Sequence, residues 1–413
     1  MRNLQEKYRW VIFFAVLFTY LMMSAQRTAP GLITEQLMAE FQVSAATVGL
    51  ITSIQFFVYT GLQVPMGLLA DRYGPNFFLI VGALLTGVGN IMYSLANNEL
   101  IIFIARILTG VGDATIWVNL VLILGIWFTK GEFSRLIGVV GMTGSLGFLI
   151  ATVPFSTVIE LLGWRKTFFH LGVILCVCSF LLYFFLIKKS RKPLYIQNKM
   201  NQEKLLFIFK KLFTNRQAWM LFLCHFGIVG GFIGFISSFA VPFAMNVYGM
   251  TRLAASQLIL LSLVGALMGA PIIGWISSQL GMIKRLYLIF YLSNLCCWIA
   301  ILIFDGQPSL PILYFLFFMI GFSFGSNSLT FATVRQTFSM KEAGIVTGFA
   351  NTGGFLSAVL LPSIFGNILD YFQPLSESIT LGYYYGFFTP VIFCIIGLVG
   401  VCFMKEKLTS NLY

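Results

Sequence analysis

The sequence predicts an all-α integral membrane protein, with twelve transmembrane helices in two pseudo-symmetric six-helix bundles. Three observations lead there. Hydrophobic residues make up 58% of the 413 positions and charged residues only 10%, against roughly 25% charged in soluble domains, so a water-facing surface cannot be covered. Apolar runs of about 20 residues, the length that crosses a bilayer as a helix, recur between short polar breaks. One long basic stretch divides these runs six and six.

The first run, Trp10 to Ala29, has basic flanks at Arg2, Lys7 and Arg9, as a secretory signal would. It ends in a polar Gln26-Arg27 pair with no small-residue cleavage site, so it reads as a retained helix. Val48 to Gly67, Phe77 to Ala96, Leu100 to Trp127, Leu136 to Ile159 and Phe168 to Ile187 complete the first six. Trp219 to Met245, Leu253 to Ser278, Leu286 to Phe304, Ile312 to Val334, Ile345 to Leu369 and Tyr384 to Met404 form the second six. The resulting organisation is an N-terminal bundle over 1–187, a basic linker over 188–216 and a C-terminal bundle over 217–413.

Lys and Arg beside spanning helices stay on the cytoplasmic side. With both termini cytoplasmic, all of the 26 Lys/Arg fall on that side except Arg165, Lys166 and Arg252 in external loops and Arg27 and Arg106 inside spans. This places the protein in a cell membrane. The net charge of +12 then anchors the chain to an anionic leaflet and points to a lipid partner, not to nucleic acid. Within the linker, Leu205, Leu206, Phe207, Ile208, Phe209, Leu212 and Phe213 sit among lysines, as expected of a helix lying in the headgroup layer. The seven cysteines all sit in apolar runs without metal-ligand spacing, so they read as small core residues. No metal and no cofactor is expected.

The halves repeat one another. Gly141, Gly144 and Gly147 followed by Pro154 in the fifth span are echoed by Gly348, Gly353 and Gly354 followed by Pro362 in the eleventh. Internal two-fold symmetry of this kind accompanies a solute site near mid-membrane between rocking halves. Small residues at three- and four-residue spacing let those two spans approach their neighbours closely, in a moving or a static packing alike.

Between the second and third spans the chain reads Gly67-Leu68-Leu69-Ala70-Asp71-Arg72-Tyr73-Gly74, which resembles the Gly-x-x-x-Asp-Arg-x-Gly signature of the major facilitator superfamily. Its glycines permit a tight turn, and Asp71 is placed to accept from a helix end or to pair with Arg72 or another basic neighbour. Pro75 and Asn76 follow where the family has two basic residues, and the second-half turn, Gly274 to Gly281, lacks the acid. In the fourth span Arg106-Ile107-Leu108-Thr109-Gly110-Val111-Gly112 resembles the family's Arg-x-x-x-Gly-x-Gly, and Gly163-Trp164-Arg165 resembles the turn that commonly follows the fifth. The resemblance implies the major facilitator fold, a monomer, and gating roles for Gly67, Asp71, Arg72, Gly74, Arg106 and Gly110. Arg9-Trp10 through Arg27 further resembles the first helix of the organophosphate antiporters and anion:cation symporters, which bind anions at the embedded arginine. Asp113 stands where the symporters carry a proton-taking carboxylate, and Trp127-Phe128-Thr129 resembles their Trp-Phe-Pro. The seventh span lacks the second arginine of the antiporters, which points away from phosphate esters and toward carboxylates.

A charge inside a membrane helix costs about 3 kcal/mol on insertion scales, so Arg27, Arg106 and Asp113 each require a partner or a cavity. Arg106 and Asp113 lie about 10 Å apart along one helix face, too far for a direct pair. Arg106 is therefore expected to bond helix-end carbonyls or water. Arg27 offers a permanently charged fork suited to an anion, and Asp113 a group able to change its charge. One reading has Arg27 hold the solute and Asp113 the proton. The other has the two form a structural ion pair.

Tyr20 lies two turns before Arg27, Gln55, Tyr59 and Gln63 repeat every four residues, and Trp117 follows Asp113 by one turn, so these are expected around one cavity. Asn327 and Asn351 are expected to supply second-half contacts, or to hold helices together. His225 is a candidate proton relay or a packed core histidine. Together these residues point to a secondary active transporter working by alternating access, coupled to H+ and carrying a small organic anion or zwitterion. The alternative is export of drugs or amphiphiles, and drug exporters of the superfamily usually carry Gly-Pro in the fifth-span motif, absent from Gly141 to Gly147. An enzyme would need a nucleophile–base set or metal ligands that the spans do not supply.

Overall fold

In hydrocarbon every peptide N–H and C=O must be satisfied within its own segment, so helix is the only form an isolated span can take. The structure is a computed structural model that describes residues 2–28, 33–43, 45–151, 153–188, 210–372 and 379–406. In chain order its helices are α1 (Arg2–Thr28), α2 (Thr34–Phe41), α3 (Ala45–Tyr73), α4 (Pro75–Leu95), α5 (Glu99–Trp127), α6 (Lys130–Ile150), α7 (Val153–Leu162) and α8 (Trp164–Tyr183). The chain continues with α9 (Arg216–Val229), α10 (Ala240–Tyr248), α11 (Arg252–Leu280), α12 (Ile283–Ile303), α13 (Leu310–Phe324) and α14 (Ser328–Thr337). It ends with α15 (Ala343–Phe372), α16 (Ile379–Gly386) and α17 (Phe388–Phe403). Among the described residues, eleven helical stretches are long and apolar enough to cross a membrane. The remaining expected span lies in α3, whose 29 residues exceed the required length.

Several expected spans are interrupted. The fifth divides into α6 and α7, with Pro154, which has no N–H to give, in the first turn of α7. The seventh leaves α-geometry after α9 in a π-helical turn, Gly230–Phe235, and breaks again before α10. Gly230, Gly231 and Gly234 make the helical register there weak, and Pro242 withdraws a further donor. The tenth changes to a 3₁₀ turn, Gly325–Asn327, between α13 and α14. The twelfth divides into α16 and α17, and α2 is an extra short helix between the first two spans. Of the interfacial helix expected over 205–213, residues 205–209 lie outside the described residues, while 210–214 are helical with Leu212 buried.

The chain groups into two compact units: Met1–Thr129, Thr143–Leu205 and Ser339–Gly348 form the first, and Lys130–Met142, Leu206–Phe338 and Phe349–Tyr413 the second. Each unit uses the same pairings. In the first, α4 packs on α5 and α8, α3 on α5, and α1 on α8. In the second, α12 packs on α13 and α17, α11 on α13, and α9 on α17.

Lipid tails are as apolar as the helices, so association rests on close packing, and glycine makes it close. Gly82 of α4 and Gly112 of α5 face each other's backbones, so that a Cβ on Gly82 would stand 2.8 Å from the Gly112 carbonyl. In the second unit Gly269 of α11 meets the Phe322 carbonyl and Gly325 meets the Gly269–Ala270 peptide. The spans with echoed glycines divide between the units. The start of α6 packs on α11 through Gly138, while its later part meets α1, with Gly147 on Ser24. The start of α15 meets α3, with Gly344 on Gly67, while its later part meets α9, with Gly353 on Phe222.

Gly269→Ala would drive a methyl into the Phe322 carbonyl, whereas Gly131 opens onto space. Thermal unfolding in detergent is expected to show Gly269→Ala losing about 1–3 kcal/mol of stability, with Gly131→Ala within about 0.5 kcal/mol of the parent.

Candidate functional site

Three helices of the first unit bring the intramembrane charges together. α5 is the most enclosed, with Arg106 0% and Asp113 1% exposed. Arg27 lies in the last turn of α1 and is 7% exposed. A cation there also faces the negative end of the helix dipole. Its Nε donates to Asp113 Oδ2 at 3.1 Å, making a buried ion pair. Gln26 Nε2 donates to the same oxygen at 2.9 Å, and Gln55 Nε2 from α3 at 2.7 Å. Three donors thus converge on one carboxylate oxygen. Asp113 Oδ1 and one terminal nitrogen of Arg27 are buried without a hydrogen-bond partner in the structure.

Gly110 makes this geometry possible. A Cβ there would lie 2.8 Å from the Gln55 carbonyl and 3.0 Å from Val58, so any larger residue would push α3 away and carry Gln55 out of reach of Asp113. The side chain of Gln55 also accepts from Arg106 Nη1 at 2.9 Å. Its spacing along α5 led us to expect helix-end carbonyls or water around Arg106, and the structure adds a side-chain amide as the partner of Nη1. The Gln55 amide bridges the gap along α5, and the Arg106 guanidinium lies 3.8 Å over the Tyr93 ring and 5.7 Å from Phe168. Those two aromatics belong to a buried cluster with Ile33, Leu37 and Trp164. Trp164 Nε1 donates to Glu40 Oε2 at 3.0 Å, and Arg165 donates to Glu40 Oε1 from Nε at 3.0 Å and Nη2 at 2.6 Å. Arg165 Nη1 also reaches the Ser94 carbonyl at 2.7 Å. The Gly163-Trp164-Arg165 turn, entered by Gly163 at φ +81°, thus fastens α2 to the end of α4.

The aromatic residues singled out in the sequence lie close by. Arg27 sits 4.6 Å over the Tyr59 ring. Tyr20 and Trp117 form a tilted pair with centroids 5.7 Å apart. Gln63 instead donates to the Tyr59 and Ala114 carbonyls at 3.3 and 3.4 Å, tying α3 to α5. Asp71 accepts from the backbone N–H groups of Gly344 and Ile345 at 2.8 and 2.7 Å. It therefore caps the start of α15, where a carboxylate is favoured, while Arg72 lies 4.8 Å over Tyr73. Gly67 admits that contact, and Gly74 begins α4 at φ +88°. The second-half turn places Gly274 against the start of α6, but its Ser278 bonds the Trp275 carbonyl of its own helix.

His225, Asn327 and Asn351 belong to the second unit. His225 is 3% exposed, hydrogen-bonds the Asn351 side chain and stands edge-on to Phe331 at 5.0 Å. Asn327 lies half-buried in the 3₁₀ turn. Gln26 and Tyr93 escaped the sequence reading. Gln26 carried a signal, as an amide beside the only arginine of the first span, whereas Tyr93 is one of many aromatics and carried none.

Known proteins resemble this chain in sequence or in fold. A probable hexose phosphate transport protein of Chlamydia trachomatis serovar D is 22% identical over 384 residues, covering 85% of this chain and 82% of its own length. A probable L-galactonate transporter of Escherichia coli K12 is 26% identical over 174 residues, 42% of this chain and 38% of its own. The crystal structure of the E. coli fucose:proton symporter superposes with a TM-score of 0.76 at 14% identity, covering 97% of this chain and 100% of that one. The sequence profile of the Major Facilitator Superfamily matches residues 12–362, so the chain is a multi-pass membrane transporter, not an enzyme, and belongs to the Major Facilitator Superfamily.

Proposed function

We propose that this protein is a proton-coupled carrier of a small organic anion, working by alternating access in a cell membrane with both termini cytoplasmic. The moving bodies would be the halves 1–187 and 217–413, joined by the basic linker 188–216, and the protein would act as a monomer. The observation that carries the reading is the buried Arg27–Asp113 pair with its convergent amide donors.

The coupling follows from charge balance in a poorly solvated place. Removing one member of a buried ion pair leaves the other uncompensated, which costs about 3–5 kcal/mol. A proton on Asp113 alone strands Arg27, and an anion on Arg27 alone strands Asp113. Both together restore balance, so proton and anion favour each other's binding and travel together. Arg27 keeps one unpartnered nitrogen for the anion, and Tyr59, Tyr20 and Trp117 offer aromatic surface to its carbon skeleton. The probable hexose phosphate and probable L-galactonate transporters among its relatives agree with an anion. The symporter among the structural neighbours agrees with a proton.

Thermal stabilisation of purified protein by galactonate, glucuronate, glucose 6-phosphate, glucose and choline reads recognition, because a ligand stabilises the state that it binds. Carboxylates are expected to stabilise the parent and not Arg27→Ala. In vesicles, Asp113→Asn is expected to exchange the anion but not to accumulate it under an inward proton gradient. Stabilisation by glucose or choline that survives in Arg27→Ala would overturn the anion reading and favour export of amphiphiles. The pair itself has an asymmetric signature, since Asp113 can neutralise by taking a proton while Arg27 stays charged. Asp113→Leu is expected to cost about 3–5 kcal/mol, Arg27→Leu clearly less, and the double variant to recover most of the Asp113→Leu loss.

A further inference from the structure

We infer that Gln55 is a positioning residue for proton coupling: held by Arg106, it reserves Asp113 Oδ2 for hydrogen bonds and leaves Oδ1 as the oxygen that takes the proton. The inference rests on the proton-coupled reading above and assigns its atoms.

The Gln55 amide fits in one orientation only. Its oxygen accepts from Arg106 Nη1 at 2.9 Å and its nitrogen donates to Asp113 Oδ2 at 2.7 Å. Turned over, the amide would set N–H against the guanidinium, which has no acceptor. Arg106, fixed on Tyr93 at 3.8 Å, therefore dictates which end of Gln55 meets the carboxylate. With Gln26 and Arg27 on that same oxygen, one face of Asp113 is filled and Oδ1 is buried without a partner.

This division suits a proton that must come and go. A proton from the aqueous phase forms the Oδ1–H bond and breaks none of the three bonds at Oδ2, which persists as a carbonyl acceptor. The charge of Asp113 goes from −1 to 0 and that of Arg27 stays +1, so the positive charge of Arg27 is left for an anion to balance while the three donors hold the neutral acid in place. The other groups facing this point are Arg27 and Tyr20 of α1, Tyr59 of α3 and, through Gln55, Arg106 of α5 itself. From the later part of α6 Gly144 adjoins Tyr20, while α4 packs on the Gly112 side of α5 through Gly82 and Thr86. Gln55 thus favours the charged form of Asp113 and sets the pH at which it fills, without itself titrating.

Infrared difference titration of the purified full chain, with no solute added, tests this. The parent is expected to show a protonated-carboxyl band that vanishes in Asp113→Asn and lies at the low-frequency, strongly hydrogen-bonded end of its range. Gln55→Leu removes a donor to the charged form, so its band is expected at higher frequency, with a titration midpoint about one pH unit higher. Arg106→Leu is expected to shift the midpoint the same way by less. A folded Gln55→Leu with unmoved band and midpoint would overturn the inference. Should that variant fail to fold, the parent band decides alone, and a free-carbonyl frequency overturns it. An Asp113 that never protonates while folded would sink the proton-coupled reading and this one with it.

Discussion

The absence of water in the bilayer governs everything else in this molecule. It forces the backbone into helices, because an unpaired peptide group has nowhere to turn. It also removes the usual hydrophobic gain from helix association, which leaves close contact as the source of cohesion. The recurring glycines follow, and Gly82 on Gly112 and Gly269 on Phe322 show the same solution in each unit. The same constraint makes a charge conspicuous, and Arg27, Arg106 and Asp113 are joined in one set of hydrogen bonds through Gln55.

Packing and chemistry meet at α5. Its face toward α3 is shaped by Gly110, which lets Gln55 come close enough to bridge Arg106 and Asp113. Its face toward α4 is shaped by Gly112, and the Arg106 guanidinium rests on Tyr93 of that helix. In this chain the stretch Arg106 to Gly112 thus combines an arginine bonded to the amide, Gly110 that lets the amide come within reach, and Gly112 that seats α4. Asp71 plays a separate part, tying α3 to the start of α15 by capping a helix end, and the second-half turn has no equivalent acid.

Much of this was legible in the sequence, for physical reasons. Spans are long apolar runs, and membrane charges stand out against them, so both the fold and the Arg27–Asp113 candidates could be read directly. The breaks at Gly230–Phe235 and Gly325–Asn327 could not. Hydropathy is blind to helix type, and these turns depend on neighbouring backbones. The partner of Arg106 was missed because spacing along one helix excludes a direct pair but cannot reveal a bridging amide from another. Gln26 was seen only as a polar end to the first run, yet its position beside Arg27 puts it on the same carboxylate oxygen.

Counting the protons taken up when an anion binds tests the central claim most directly. Purified protein in weakly buffered detergent solution would receive the carboxylate that stabilises it best, with the pH followed during binding. Joint binding at the Arg27–Asp113 pair predicts alkalinisation approaching one proton per anion bound at a pH where Asp113 starts charged, and none in Asp113→Asn. Binding without any pH change, or with the same change in Asp113→Asn, would contradict it.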